Sequence, residues 1–237
     1  MKENILGIDV TPLDYGELIS SIMKDIDQGR KAFIVAINPE KIMKAQKDPD
    51  LKKLLNRATY QIPDGIGVII ASKLKGGNIR SRVTGIDLMM KLCQKASQNN
   101  KSVFLYGAKP EVVEEARNRL IKQFPGLRVA GVIHGYENDQ EKILSTINLA
   151  KPDILFVGLG SPRQEYWILE NMDKLNVHIF QGVGGSFDVI SGNLKRAPEA
   201  LQKIGLEWFY RLIKEPWRWR RQLVLVSFLY RVLLKRA

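Results

Sequence analysis

Short apolar runs and amphipathic stretches alternate along most of the chain. Runs rich in β-branched and aromatic residues at 33–37, 103–106, 128–133, 154–157 and 177–181 predict strands, and Tyr60-Gln61-Ile62-Pro63 reads the same way. Between them, apolar residues recur at helical spacing over 14–26, 85–97, 110–123 and 140–150. Lys109-Pro110-Glu111 marks a helix start: the first turn has no use for the N–H that proline lacks, and an acid suits the positive end of the dipole. Strands alternating with helices predict an α/β fold, a Rossmann-like and mostly parallel sheet with helices on both faces. Ligands of such sheets bind outside the carboxyl ends of the strands.

The loops predicted at those ends are rich in glycine and polar groups. They are Asn38-Pro39-Glu40, Pro63-Asp64-Gly65, Tyr106-Gly107, His134-Gly135-Tyr136, Gly158-Leu159-Gly160 and Gly182-Val183-Gly184-Gly185. Each glycine alone is explained by turn conformation, whereas six such loops on one edge point to a ligand that the backbone approaches closely. Asp64 supports two readings, an N-cap for a helix over 66–74 or a general base that takes a proton from an attacking hydroxyl. Arg82 precedes a helix cap at Thr84 and is by default a surface cation, or else a partner for phosphate or carboxylate. Pro162 opens a helix beside Gly158 and Gly160, an anion-binding geometry, and places Gln164 in the first turn, within reach of a sugar hydroxyl. Asp25-Ile26-Asp27 has a metal-binding spelling but falls at the polar end of a helix and reads as solvated surface. Asp48-Pro49-Asp50 reads as a helix start. No metal site is expected.

Charge and composition change the picture mainly at the C-terminus. The net charge is +12, and 203–237 carries nine Lys/Arg against two Glu, a net charge of +7, together with three of the four tryptophans. Two helices are predicted there, 201–214 and 216–235, split by Glu215-Pro216, with a composition shift near Arg196-Ala197-Pro198. The expected organisation is therefore an α/β catalytic domain over 1–196 and a basic amphipathic helical appendage over 197–237. The apolar stretch 223–234 is interrupted by Arg231 and falls short of the roughly 20 residues that span a bilayer. It suits an interfacial, membrane-associating helix, or a helix packed on the domain or in a homo-oligomer. A basic aromatic tail also suits nucleic acid, but the apolar run has no use against phosphate, so nucleic acid is not the expected partner. One cysteine, no apolar leader, and neither a strict G-x-G-x-x-G nor a P-loop argue for a reducing compartment and against dehydrogenase or P-loop chemistry.

Six strings in order now form one pattern. They are Ile5-Leu6-Gly7-Ile8-Asp9-Val10, Asn38-Pro39-Glu40, Pro63-Asp64-Gly65, Arg82-Val83-Thr84-Gly85-Ile86-Asp87, Gly158-Leu159-Gly160-Ser161-Pro162-Arg163-Gln164-Glu165 and Gly182-Val183-Gly184-Gly185-Ser186-Phe187-Asp188. Together they resemble the WecG/TagA/CpsF glycosyltransferases over nearly the whole chain. The resemblance implies an inverting, metal-independent transfer that needs no cofactor. N-acetylmannosamine would pass from a UDP-sugar donor to the 4-hydroxyl of N-acetylglucosamine on undecaprenyl diphosphate, a polyprenyl-diphosphate-linked acceptor of wall teichoic acid synthesis. It implies that Asp64 is the base, that Asn38, Arg82 and Gln164 line the sugar pocket, and that Gly184, Gly185 and Asp188 lie by the nucleotide. Arg211, Arg218 and Arg221 match tail arginines that close over the leaving group. The expected setting is cytoplasmic, peripherally attached to the inner face of the cell membrane through an anionic surface. Ala36 stands where the family often has threonine, a departure that bears on the donor sugar and not on the reaction class.

Overall fold

The sequence folds around six parallel strands in the order β4-β3-β8-β7-β5-β6. The structure, a computed structural model, describes residues 1–198, 201, 209–210, 212 and 219–234. The strands are β3 (Ala32–Ile37), β4 (Tyr60–Pro63), β5 (Ser102–Gly107), β6 (Arg128–Ile133), β7 (Ile154–Gly158) and β8 (Ile179–Gly182). Every residue of β5 and β8 is buried, as expected of strands covered on both faces. The last predicted strand thus begins two residues later and ends one residue later than its apolar run suggested.

A hairpin of β1 (Glu3–Ile5) and β2 (Ile8–Val10) precedes the sheet. Its two linking residues, Leu6 and Gly7, both have positive φ (51° and 83°), the conformation that matches the twist of a two-residue hairpin. The hairpin is tied to the sheet where the Thr11 N–H donates to Gln61 O at 2.8 Å.

Two apolar layers flank the sheet. One is formed by α2 (Pro39–Ala45), α3 (Pro49–Arg57), α4 (Ile66–Leu74), α7 (Gln140–Ala150), α8 (Arg163–Asn171) and the last helix, α10 (Trp219–Leu234). The other is formed by α1 (Tyr15–Asp27), α5 (Gly85–Gln98), α6 (Pro110–Gln123) and the short α9 (Ser186–Ile190). Caps fall where the sequence placed them: Asp48 accepts from Leu51 N, and Thr84 accepts from Asp87 N.

Asp25 corrects one expectation. It is buried, not solvated: its carboxylate accepts from the Tyr60 hydroxyl at 2.6 Å and from Arg30 at 2.6 and 2.8 Å. Burial first, and then the hydrogen bond to Asp25, push the Tyr60 phenol far above its ordinary pKa.

α10 lies on α2 and α4, the helices that start beside Asn38 and Asp64. Phe228 and Val232 are fully buried there, Leu225 and Leu229 partly. Gly67 in α4 makes room for this contact, since a Cβ there would sit 2.7 Å from Leu225 Cδ1 and 2.6 Å from Pro39 Cγ. The predicted tail helix over 201–214 falls mostly outside the described residues. Among those residues, no helix is long and apolar enough to cross a membrane.

Candidate active site

The carboxyl ends of the six strands deliver Asp64, Asn38, Gly182–Gly185, Gly158–Gly160, Gly107 and Tyr136, in that order along one edge. With about 4.8 Å between strands, Asp64 and the Gly158 loop stand roughly 14 Å apart, and Tyr136 is at the far edge. The edge therefore suits an extended ligand with different chemistry at its two ends.

Asp64 follows β4, and its own N–H donates to Ile37 O at 2.9 Å. The N-cap of α4 is Gly65, with no side-chain cap bond, so the carboxylate does not serve as a cap. Its side chain is 28% exposed, with Oδ2 lying 3.4 Å from the Gly85 N–H and Oδ1 4.0 Å from an Arg82 Nη. Arg82 Nε donates to the Asp64 backbone carbonyl at 2.9 Å, which fixes the turn that presents the acid. A carboxylate partly open to solvent at the strand end, on a turn fixed through its backbone, is placed to meet an incoming hydroxyl.

Asn38 caps α2, its Oδ1 accepting from Lys41 N at 2.9 Å, and its Nδ2 makes no hydrogen bond among the described residues. Gly65 packs against it, with room for no side chain: a Cβ there would meet Pro39 Cδ at 2.8 Å. Asn38 and Asp64 are thus neighbours across β3 and β4. Ala36 lies close by, because a Cβ built on Gly85 would be 3.7 Å from Ala36 Cβ and 3.8 Å from Asp64 Oδ2.

Gln164 is placed differently from the open position that its helix turn suggests. It is 3% exposed, with Oε1 accepting from Gly184 N at 2.9 Å and Nε2 donating to Glu165 Oε1 at 3.1 Å. It therefore ties the β7 and β8 loops together. Gly184 has φ +54°, with open space where a side chain would project, and Gly185 and Asp188 follow beside it in and before α9. Gly107 and Gly158 are explained by packing as well: a Cβ on Gly107 would come 2.4 Å from Gly158 O.

The profile of the Glycosyl transferase WecG/TagA/CpsF family matches residues 3–237. The chain belongs to that family. It is 43% identical over 208 residues to an N-acetylglucosaminyldiphosphoundecaprenol N-acetyl-beta-D-mannosaminyltransferase of Bacillus spizizenii, covering 88% of this chain and 81% of that one. The Bacillus subtilis protein of the same name is 40% identical over the same shares. The Staphylococcus aureus (strain MW2) protein of that name is 36% identical over 235 residues, 98% of this chain and 92% of the relative.

For this glycosyltransferase the structure brings Asp64, Arg82, Asn38, Gln164 and Gly184 onto one half of the sheet edge. Tyr136, which is 62% exposed, and Gly107 lie on the other half. Arg211 and Arg218 fall outside the described residues, and of Arg221 only the helical backbone is described. Among the described residues no group of three or more His, Cys, Asp or Glu could hold a metal ion.

Two arrangements escaped the sequence reading. Arg196 grips Asp87 through two bonds, Nη1 to Oδ1 at 2.5 Å and Nη2 to Oδ2 at 2.8 Å, fastening the segment before the appendage to the start of α5. Burial works to raise the Asp87 pKa, but the hydrogen bonds from Arg196 and Thr84 and the charges of Arg196 and Arg82 outweigh it and hold the carboxyl low. Lys41 and Glu165 form a buried pair at 2.7 Å. Glu165 follows Gln164 in the Gly158–Glu165 motif, which was a signal, but nothing in the sequence links it to Lys41.

Proposed function

We propose that the chain transfers N-acetylmannosamine from its UDP-activated form to the 4-hydroxyl of N-acetylglucosamine on undecaprenyl diphosphate, with inversion and without a metal ion. The observation that carries the reading is Asp64, a partly exposed carboxylate at the end of β4, beside Asn38, that does not cap α4. Asp64 takes the proton of the acceptor hydroxyl as its oxygen attacks the anomeric carbon. The bond from that carbon to the β-phosphate oxygen breaks on the opposite face, and UDP leaves with the electron pair. The nucleotide belongs over Gly184, Gly185 and Asp188, with the sugar between that turn and Asp64, lined by Asn38 and Arg82. Negative charge growing on the leaving diphosphate calls for guanidinium groups, which bind phosphate oxygens in a fork. Arg211, Arg218 and Arg221 of the appendage fill that role in this reading.

The appendage, 197–237, brings the catalytic domain to its lipid substrate at the inner face of the membrane. The side of α10 turned away from the domain supports this. Leu223, Val226, Tyr230 and Leu233 recur at helical spacing and are 49–67% exposed, an apolar stripe suited to the headgroup boundary of an anionic bilayer. The test is product formation from UDP-N-acetylmannosamine and a lipid-diphosphate N-acetylglucosamine analogue in EDTA. Full activity with chelator is expected. No product with this donor, but product with another UDP-sugar, would reassign the donor, and dependence on added divalent ion would overturn the metal-free mechanism.

A further inference from the structure

The Lys41–Glu165 pair sits where a pair of charges is hard to justify by stability. Glu165 is fully buried and the Lys41 side chain is 10% exposed. Withdrawing two charges from water offsets most of what their attraction gains, and apolar residues of similar volume often do as well. Glu165 Oε2 is sealed as well, without a hydrogen-bond partner among the described residues, which adds a cost.

The geometry gives the pair another use. Lys41 is in the first turn of α2, after β3, and Glu165 in the first turn of α8, after β7. β8 lies between those strands, so the ion pair spans its carboxyl end, where Gly182–Gly185 turns. Glu165 Oε1 receives both Lys41 Nζ and Gln164 Nε2. An amide has one donating and one accepting end, and a carboxylate can face only the donating one. Glu165 therefore turns the Gln164 carbonyl toward the Gly184 N–H. Asn38, capping the turn that carries Lys41, Lys41 itself, Glu165, Gln164 and Gly184 make one continuous chain across three strand ends.

We propose that Lys41 and Glu165 are positioning residues for the donor, acting through Gln164 to hold the Gly184 turn in its binding conformation. This rests on the reading that the turn receives the nucleotide. The apolar double variant Lys41→Met/Glu165→Leu separates positioning from stability. In the full-length protein its melting temperature should equal or exceed that of the wild type. Its dissociation constant for UDP by calorimetry, and its KM for the donor, should rise about tenfold or more, because small misplacements of binding groups carry penalties of that size. KM for the acceptor should not move.

Wild-type UDP affinity in the double variant would overturn the positioning role while leaving the transferase reading intact. Failure of the wild type itself to bind UDP would overturn both. Should the double variant not fold, Glu165→Gln, nearly isosteric, is measured well below its melting temperature. A tenfold weaker UDP affinity supports the proposal, and an unchanged one refutes it.

Discussion

Replacing Phe228 by alanine should loosen α10 on the domain without unfolding the sheet. Among the described residues, four of α10 pack into the domain's apolar layer: Phe228 and Val232, fully buried, and Leu225 and Leu229, partly so. At about 1.5–3 kcal/mol for each fully buried apolar side chain, and half that for the partly buried ones, docking is worth roughly 5–9 kcal/mol. Truncating a buried phenylalanine to alanine costs about 3–5 kcal/mol, the larger figure including the cavity left behind. Around half of the docking free energy is thus lost, and local opening becomes easier by that amount. At 1.4 kcal/mol per factor of ten, amides of 225–232 should exchange with deuterium about 10²–10⁴-fold faster, while those of β5 and β7 keep their protection. The assay is hydrogen exchange read by mass spectrometry on the full chain without lipid. Unchanged exchange in α10 would refute the docking energetics. Equal acceleration in α10 and in the central strands would refute the view that the helix opens independently.

Two further outcomes follow from the same geometry. A carboxylate with a lowered pKa contributes stability at neutral pH and loses it as pH falls through that lowered value. The melting-temperature gap between wild type and Asp87→Asn should therefore be full near pH 6 and close as pH drops below about 4; a gap that persists undiminished to pH 2 would contradict the Arg196 contact as its source. Val226→Glu with Tyr230→Glu should weaken binding to anionic vesicles at least tenfold with the melting temperature little changed, since both side chains are mostly exposed. Vesicle binding equal to wild type would remove the outer stripe of α10 from the membrane contact.

The sheet was legible because its inner strands β3, β8, β7 and β5 are buried on both faces, and so read as largely apolar runs bounded by glycine and polar loops. What period and composition could not supply was the pairing order. β8, last in sequence, inserts between β3 and β7, and only that insertion places the Gly184 turn beside Asn38. Asp64 was left between two roles because aspartate before a helix usually caps it; here the helix starts one residue later than a cap at Asp64 requires, and the acid is spared. Gln164 was expected to reach a sugar hydroxyl, and its surroundings were not foreseen, since a backbone N–H twenty residues away competes with any sugar for its carbonyl. Asp25 was misread for a related reason: its partners Tyr60 and Arg30 lie outside its own helix, and periodicity within one helix cannot register them.

The most direct test of the account is Asp64→Asn, which keeps the side chain's shape and removes its capacity as a base. Turnover in the product assay should fall 10²–10⁴-fold, while UDP affinity stays within about threefold of wild type. Turnover within severalfold of wild type, with the protein folded and UDP bound, would show that this carboxylate does not take the proton.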